Sequence, residues 1–198
     1  MSPELSRTLN ALGLLAIVVV LAGAFLDQFK VHDLPCPLCL LQRAGFVGAC
    51  VGLALNIKFG ARPLHYGLTI LAAMVGAAVA MRQTLLHIAP GDAGFGGTVL
   101  GLHLYTWAFV VFSLIVLGCA GMLLFEREFD RSVRVAAVPA IGMVALALAA
   151  LMAFGNAAST VLECGGGLCP DNPTTYELLQ RPAQNPAPAP VTPPAPAR

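Results

Sequence analysis

Long apolar runs alternate with short polar gaps along this chain. The runs at residues 9–28, 37–56, 64–88, 99–125 and 133–155 carry very few charges. Each is long enough for a helix to cross the hydrocarbon core of a bilayer, which takes about 20 residues. Short gaps make successive helices antiparallel neighbours. The pattern therefore predicts an all-α membrane protein, an antiparallel transmembrane helix bundle of five spans within residues 1–157. Pro139 is expected to kink the fifth span near its start. A cysteine-containing tail, residues 158–180, follows. Residues 181–198 are Pro/Ala-rich, a composition that builds no core and favours disorder or extended polyproline II.

Smaller patterns refine this. Gly48 and Gly52, and Gly76 and Ala80, recur at a spacing that lets helix backbones approach closely in lipid. Tyr105 and Trp107 fall near the outer end of the fourth span, where aromatic anchors gather. Either could also line a flat, ring-shaped ligand.

Composition supports the membrane reading. Of 198 residues, 58% are hydrophobic and 11% charged, against about 25% charged in soluble domains. A net charge of +1 gives no reason to expect nucleic-acid binding. Arg7 precedes a long apolar run with no small-residue cleavage site soon after it, so that run reads as a retained first helix. Basic residues set the orientation. Arg7, Lys58, Arg62, Arg127, Arg131 and Arg134 flank one side, and Lys30 alone the other. The N-terminus is thus expected in the cytoplasm and the tail after the fifth span in the periplasm. Of six cysteines, four form two close pairs near the expected outer ends, which fits an oxidising compartment.

The chemistry concentrates in Pro35-Cys36-Pro37-Leu38-Cys39-Leu40-Leu41-Gln42-Arg43. Pro37 suits the first helical position, leaving Cys36 just outside the helix and Cys39 in its first turn. Cys39, Gln42, Arg43 and Phe46 then share a face. A thiolate at Cys39 would be stabilised by the helix N-terminus and by Arg43. A cation within lipid is costly and marks function. A dithiol beside it suggests an electron acceptor that becomes anionic when reduced.

This stretch resembles the DsbB family, membrane proteins that oxidise periplasmic thiol oxidases and pass the electrons to quinone. In that family a C-x-x-C sits at the outer end of the second transmembrane helix, with Arg four residues after its second Cys. Cys36, Cys39 and Arg43 match. The likeness covers roughly residues 9–125, a four-helix core with one span added. The family usually carries a second cysteine pair between its third and fourth helices. Here that loop has none, and the second pair, Cys164 and Cys169, follows the fifth span.

The resemblance implies a protein-dithiol:quinone oxidoreductase of the bacterial inner membrane. Its cofactor would be ubiquinone or menaquinone, and its partner a periplasmic thioredoxin-like, DsbA-like thiol oxidase. Cys36 precedes the helix and is expected to be the more accessible thiol, exchanging with the outer dithiol. Cys39 faces Gln42 and Arg43 and is expected to meet the quinone. The family implies the same division.

Cys164 and Cys169 are separated by Gly-Gly-Gly-Leu, which makes ring closure easy. They could shuttle electrons to Cys36–Cys39 through a mixed disulfide, or simply staple the tail. All four thiols could alternatively ligate zinc, although an oxidising compartment and Arg43 oppose that, and no metal is assigned. Cys50 and Cys119 read as small buried hydrophobes. Arg82, His87 and His103 bracket the third gap at the depth of Arg43, where a cation and a proton donor would serve quinone reduction. His103 is favoured because Trp107 lies one helical turn on. Residues 90–97 form a turn-rich loop that could cover the pocket. His32 and Asp33 read as a solvated turn. Three rival readings remain: the relay run as a reductant conduit, a relay serving one dedicated partner, and a non-catalytic scaffold.

Overall fold

The structure, a computed structural model, describes residues 2–30, 34–92, 94–125 and 138–180. Five helices among them are long and apolar enough to cross a membrane. They are α1 (Pro3–Lys30), α2 (Pro37–Phe59), α3 (Pro63–Leu86), α4 (Leu104–Phe125) and α5 (Ala140–Cys164). The protein is a helical membrane bundle, as the hydrophobic pattern predicts. His32, Asp33, Arg127, Arg131, Arg134, the start of the fifth expected span and residues 181–198 lie outside the described residues.

Proline sets several boundaries. Pro37 and Pro63 occupy first-turn positions of α2 and α3, where the missing N–H costs nothing. Pro139 stands at the N-cap of α5, so it begins that helix and does not kink it. Gly165 ends α5 in the left-handed conformation at φ 61°, a position that suits a residue without Cβ.

Two boundaries differ from expectation. The fourth span begins at Leu104, because Thr98–Val99 and Leu102–His103 pair as a two-stranded hairpin. Gly101 turns that hairpin with φ 79°, which a continuous helix cannot contain. The fifth helix runs on to Cys164, so Ser159 and Glu163 belong to the bundle and not to the tail.

Packing follows the small residues. A side chain at Gly52 would run into His65 O and Thr69 Oγ1 of α3, and one at Gly48 would meet Ala72 Cβ at 3.1 Å. At Gly76 it would strike the Phe112 ring, which stacks on Phe46 with centroids 3.9 Å apart. These contacts join α2, α3 and α4. Helix α5 packs against α1 and α2 on the other flank.

At one end of the bundle a polar network ties α1, α2 and α3. Asn56 donates to Asn10 Oδ1 at 2.9 Å, Asn10 donates to Tyr66 Oη at 2.9 Å, and Asn56 Oδ1 faces His65 Nδ1 at 3.0 Å. All four residues are buried, where each polar group needs a partner. Cys36, Cys39, Cys164 and Cys169 lie at the opposite end.

Candidate functional site

The site begins with the first turn of α2. Cys36 is its N-cap, and the Cys36 Sγ accepts a hydrogen bond from Cys39 N at 3.2 Å. Gln83 of α3 completes this turn. Its Nε2 donates to Cys36 Sγ at 3.3 Å, and its Oε1 accepts from Gln42 Nε2 at 2.7 Å. The hydrogen bond from the Cys39 side chain, aided by Gln83, outweighs burial and pulls the Cys36 thiol from 9.0 down to about 7.

The expected order of accessibility is not found. Cys36 is buried, 6% exposed, whereas Cys39 is half-buried. The cause is the cap itself: the Cys36 sulfur turns back over the helix end and under Gln83.

One turn below, Arg43 is buried and held from α1. Its Nη1 donates to Gln28 Oε1 at 2.6 Å and its Nη2 to Ala24 O at 2.9 Å. Its guanidinium carbon lies 5.3 Å from the centroid of the Phe25 ring. Gln28 Nε2 in turn donates to Ser159 Oγ of α5 at 2.9 Å and to Tyr176 Oη of the tail at 2.8 Å. The arginine is thus oriented by a fixed amide that α5 and the tail also grip.

Cys39, Gln42, Arg43 and Phe46 line one cavity of about 540 Å³. Helices α1 and α4 supply much of the remaining wall, including Tyr105 and Trp107. Phe95, Gly96 and Val99 border it from the loop and hairpin, as the turn-rich stretch suggested. Trp107 Nε1 donates to Val99 O at 2.9 Å, which fastens the hairpin to α4.

Three expected residues stand elsewhere. Arg82 is exposed; its neighbour Gln83 takes the inward face, and adjacent residues on a helix point in different directions. His87 pairs with Asp92 at 3.2 Å, outside the cavity wall. Gly94 N and His87 together hold the Asp92 carboxyl below its ordinary 3.8. His103 lies in the hairpin and stacks on Tyr105 with centroids 5.0 Å apart. Its expected helical register with Trp107 is absent because α4 starts one residue later. None of the three lines the cavity.

Cys164 and Cys169 form a disulfide, with Cα atoms 4.4 Å apart. Cys50 and Cys119 are free and buried. Among the described residues no three His, Cys, Asp or Glu side chains gather to hold a metal ion.

Sequence reasoning missed Gln28, Gln83, Ser159, Glu163 and Tyr176. For the two glutamines and Glu163 a signal exists, since polar side chains in apolar helices are costly and tend to face the bundle interior.

A match to the family described as Disulfide bond formation protein DsbB covers residues 6–124. The chain belongs to the DsbB family. It is 40% identical over 92 residues to Disulfide bond formation protein B of Chromobacterium violaceum, covering 42% of this chain and 55% of that one. To the protein of that name from Marinobacter nauticus it is 41% identical over 93 residues, covering 44% and 54%. Over 155 residues it is 28% identical to the Burkholderia thailandensis protein of the same name, covering 61% and 90%. The chain spans about half the length of the first two relatives. No solved structure matches. The DsbB match ends at the close of α4, so α5 and the Cys164–Cys169 segment lie beyond it.

Proposed function

We propose that this DsbB-family protein is a membrane thiol:quinone oxidoreductase that generates disulfides. The observation that carries the reading is that Cys39 and Arg43 share the wall of one largely apolar cavity. Its volume falls within the range of about 300–1,000 Å³ usual for small-molecule sites. An apolar chamber with an amide, a guanidinium and a thiol on one wall fits a quinone. When bound, that group supplies an acceptor for two electrons and two protons.

The chain's own residues would divide the work. Gln42 and Arg43 present donors to a carbonyl oxygen. Arg43, fixed by Gln28 and Ala24 O, favours negative charge without further reorganisation. Tyr105 and Trp107 offer flat walls. Cys39 delivers the electrons, and Cys36 is the disulfide sulfur that a thiolate of the outer dithiol attacks, Cys36 leaving as thiolate when the mixed disulfide resolves. A Cys36 thiol pulled to about 7 is substantially ionised at neutral pH.

Cys164–Cys169 would stand upstream, receiving electrons from a periplasmic thioredoxin-like, DsbA-like protein and passing them to Cys36–Cys39. Tyr176 and Ser159 reach Gln28, which brings the tail and α5 to the end of the bundle that holds Arg43. In this reading the end that holds Arg43 faces the periplasm of a bacterial inner membrane and the N-terminus the cytoplasm, the orientation that the basic flanks favour. Arg82, His87 and His103 have no part in holding the quinone, ubiquinone or menaquinone, in this reading.

The test is anaerobic quinone reduction by the purified protein in detergent. A reduced thioredoxin-like protein serves as donor, with Cys36→Ser and Cys164→Ser run alongside. Turnover lost in both variants supports the relay. Loss in Cys36→Ser alone makes the tail disulfide a staple. No thiol-dependent turnover with either quinone class would overturn the assignment.

A further inference from the structure

Glu163 has no place in that relay, yet its burial demands an account. Its side chain is 0% exposed and neither carboxyl oxygen has a hydrogen-bond partner. A buried carboxylate without partners is among the costliest groups a fold can hold. It sits on α5, next to Cys164 and one turn beyond Ser159, on the helix that grips Gln28. Its charge interacts with that of Arg43 on α2 and with that of Cys36 at the N-cap of α2. Arg43 also feels Asp27 of α1 and Tyr176 of the tail. Helix α5 lies beyond the DsbB match, so this carboxyl is an addition to the family core.

A proton count gives it a role. Reducing the Cys36–Cys39 disulfide breaks one S–S bond and places two electrons on two sulfurs. The Cys36 sulfur accepts from Cys39 N and Gln83 Nε2, which favours its thiolate, so above about pH 7 the reduced pair retains one proton and one negative charge. The outer dithiol releases two protons with its two electrons, so one proton needs another seat.

We infer that Glu163 is the proton-holding residue of this site, ionised opposite Arg43 when Cys36–Cys39 is a disulfide and protonated when the pair is reduced. In the oxidised state Glu163 is the counter-charge of Arg43. In the reduced state the thiolate takes that place, and the second proton settles on Glu163. Two electrons and two protons thus enter from the outer dithiol. The same two electrons and two protons leave together to a quinone, and no net charge accumulates in the bundle. The quinone end of this cycle rests on the proposed function; proton uptake on reduction does not.

The test reads protons without quinone. The full chain in detergent is equilibrated with dithiothreitol redox buffers at pH values above 7, where the reduced Cys36 is thiolate, then quenched by alkylation. The tryptic peptide 31–43, bounded by Lys30 and Arg43, reports the Cys36–Cys39 pair alone by mass spectrometry. Its half-reaction equilibrium is then followed against pH. Two protons per two electrons change it about 100-fold per pH unit, and one proton about tenfold. The wild type is expected to follow the steeper dependence, Glu163→Gln the shallower, and Glu163→Asp to recover the steeper one. Equal slopes in wild type and Glu163→Gln would overturn the inference.

An infrared difference spectrum of the wild type, reduced minus oxidised, supplies a check that needs no variant. A carboxylic C=O band should appear on reduction, and its absence would also overturn the inference. A steep slope in a protein that never reduces quinone would uphold Glu163 while removing the proposed function.

Discussion

Arg43 donates to Gln28 at 2.6 Å, and Gln28 is itself held by Ser159 and Tyr176. A cation on α2 is therefore aimed by an amide on α1 that α5 and the tail keep in place. Replacing Gln28 with Ala strips Arg43 of its shortest bond. Hydrogen bonds to charged groups are worth about 1.5–3 kcal/mol, so unfolding in detergent should reveal a loss of about 2 kcal/mol. Quinone turnover should fall about tenfold or more, because a misaimed donor loses transition-state stabilisation.

Arg43→Lys tests the fork. The guanidinium spans Gln28 Oε1 and Ala24 O with two nitrogens, and a single ammonium is not built to reproduce that geometry. Arg43→Ala should lower turnover by about 100-fold or more, on the scale of a lost charge-stabilising donor. Arg43→Lys should fall between Ala and wild type. Equal activity in all three, measured as quinone reduction, would remove Arg43 from the site.

The Cys36 thiol makes a prediction in pH. Its folded-state value lies below the ordinary 9.0, at about 7, so thiolate persists above that pH and is lost below it. Any stability from ionisation is complete only above the unfolded value and disappears as pH falls through 7. Alkylation of reduced protein by iodoacetamide, read on Cys36, should rise to a plateau above about pH 7. In Cys39→Ala the main hydrogen bond is gone, and the midpoint should move up toward the ordinary thiol value.

Gln83→Leu tests the amide that sequence reasoning passed over. The change leaves Gln42 without its 2.7 Å acceptor and Cys36 without a donor. A buried group left unsatisfied costs about 1–3 kcal/mol, measurable by thermal unfolding. The Cys36 midpoint should rise in the same variant, whereas a packing defect alone would leave it unmoved.

Gly52→Ala tests the contact of α2 with α3. The added methyl would run into His65 O and Thr69 Oγ1. Overpacking of this kind costs about 1–3 kcal/mol, and the melting temperature in detergent should fall. Gly60→Ala is a poor control, because Gly60 has φ 86°; Gly118→Ala meets nothing within 4 Å and should be nearly neutral.

The sequence by itself determined the number of spans, the helix start at Pro37 and the shared face of Cys39, Gln42, Arg43 and Phe46. These follow from local rules: an apolar run must satisfy its backbone within a helix, proline suits a first turn, and spacing of three and four residues stacks side chains. The same rules left the direction of Arg82 open, because depth along a helix says nothing of direction around it, and Arg82, His87 and His103 all stand outside the cavity wall. Tertiary structure decided that Gln83 takes the inward face, that His103 joins a hairpin, and that Cys36 is covered. It also carried α5 on to Cys164, setting Ser159 against Gln28 and burying Glu163 within reach of the charge on Arg43. Such relationships join residues more than a hundred positions apart, as Gln28 and Ser159 are. They arise from how helices of similar apolar character choose neighbours, a choice made by packing and by the partners that buried polar groups find.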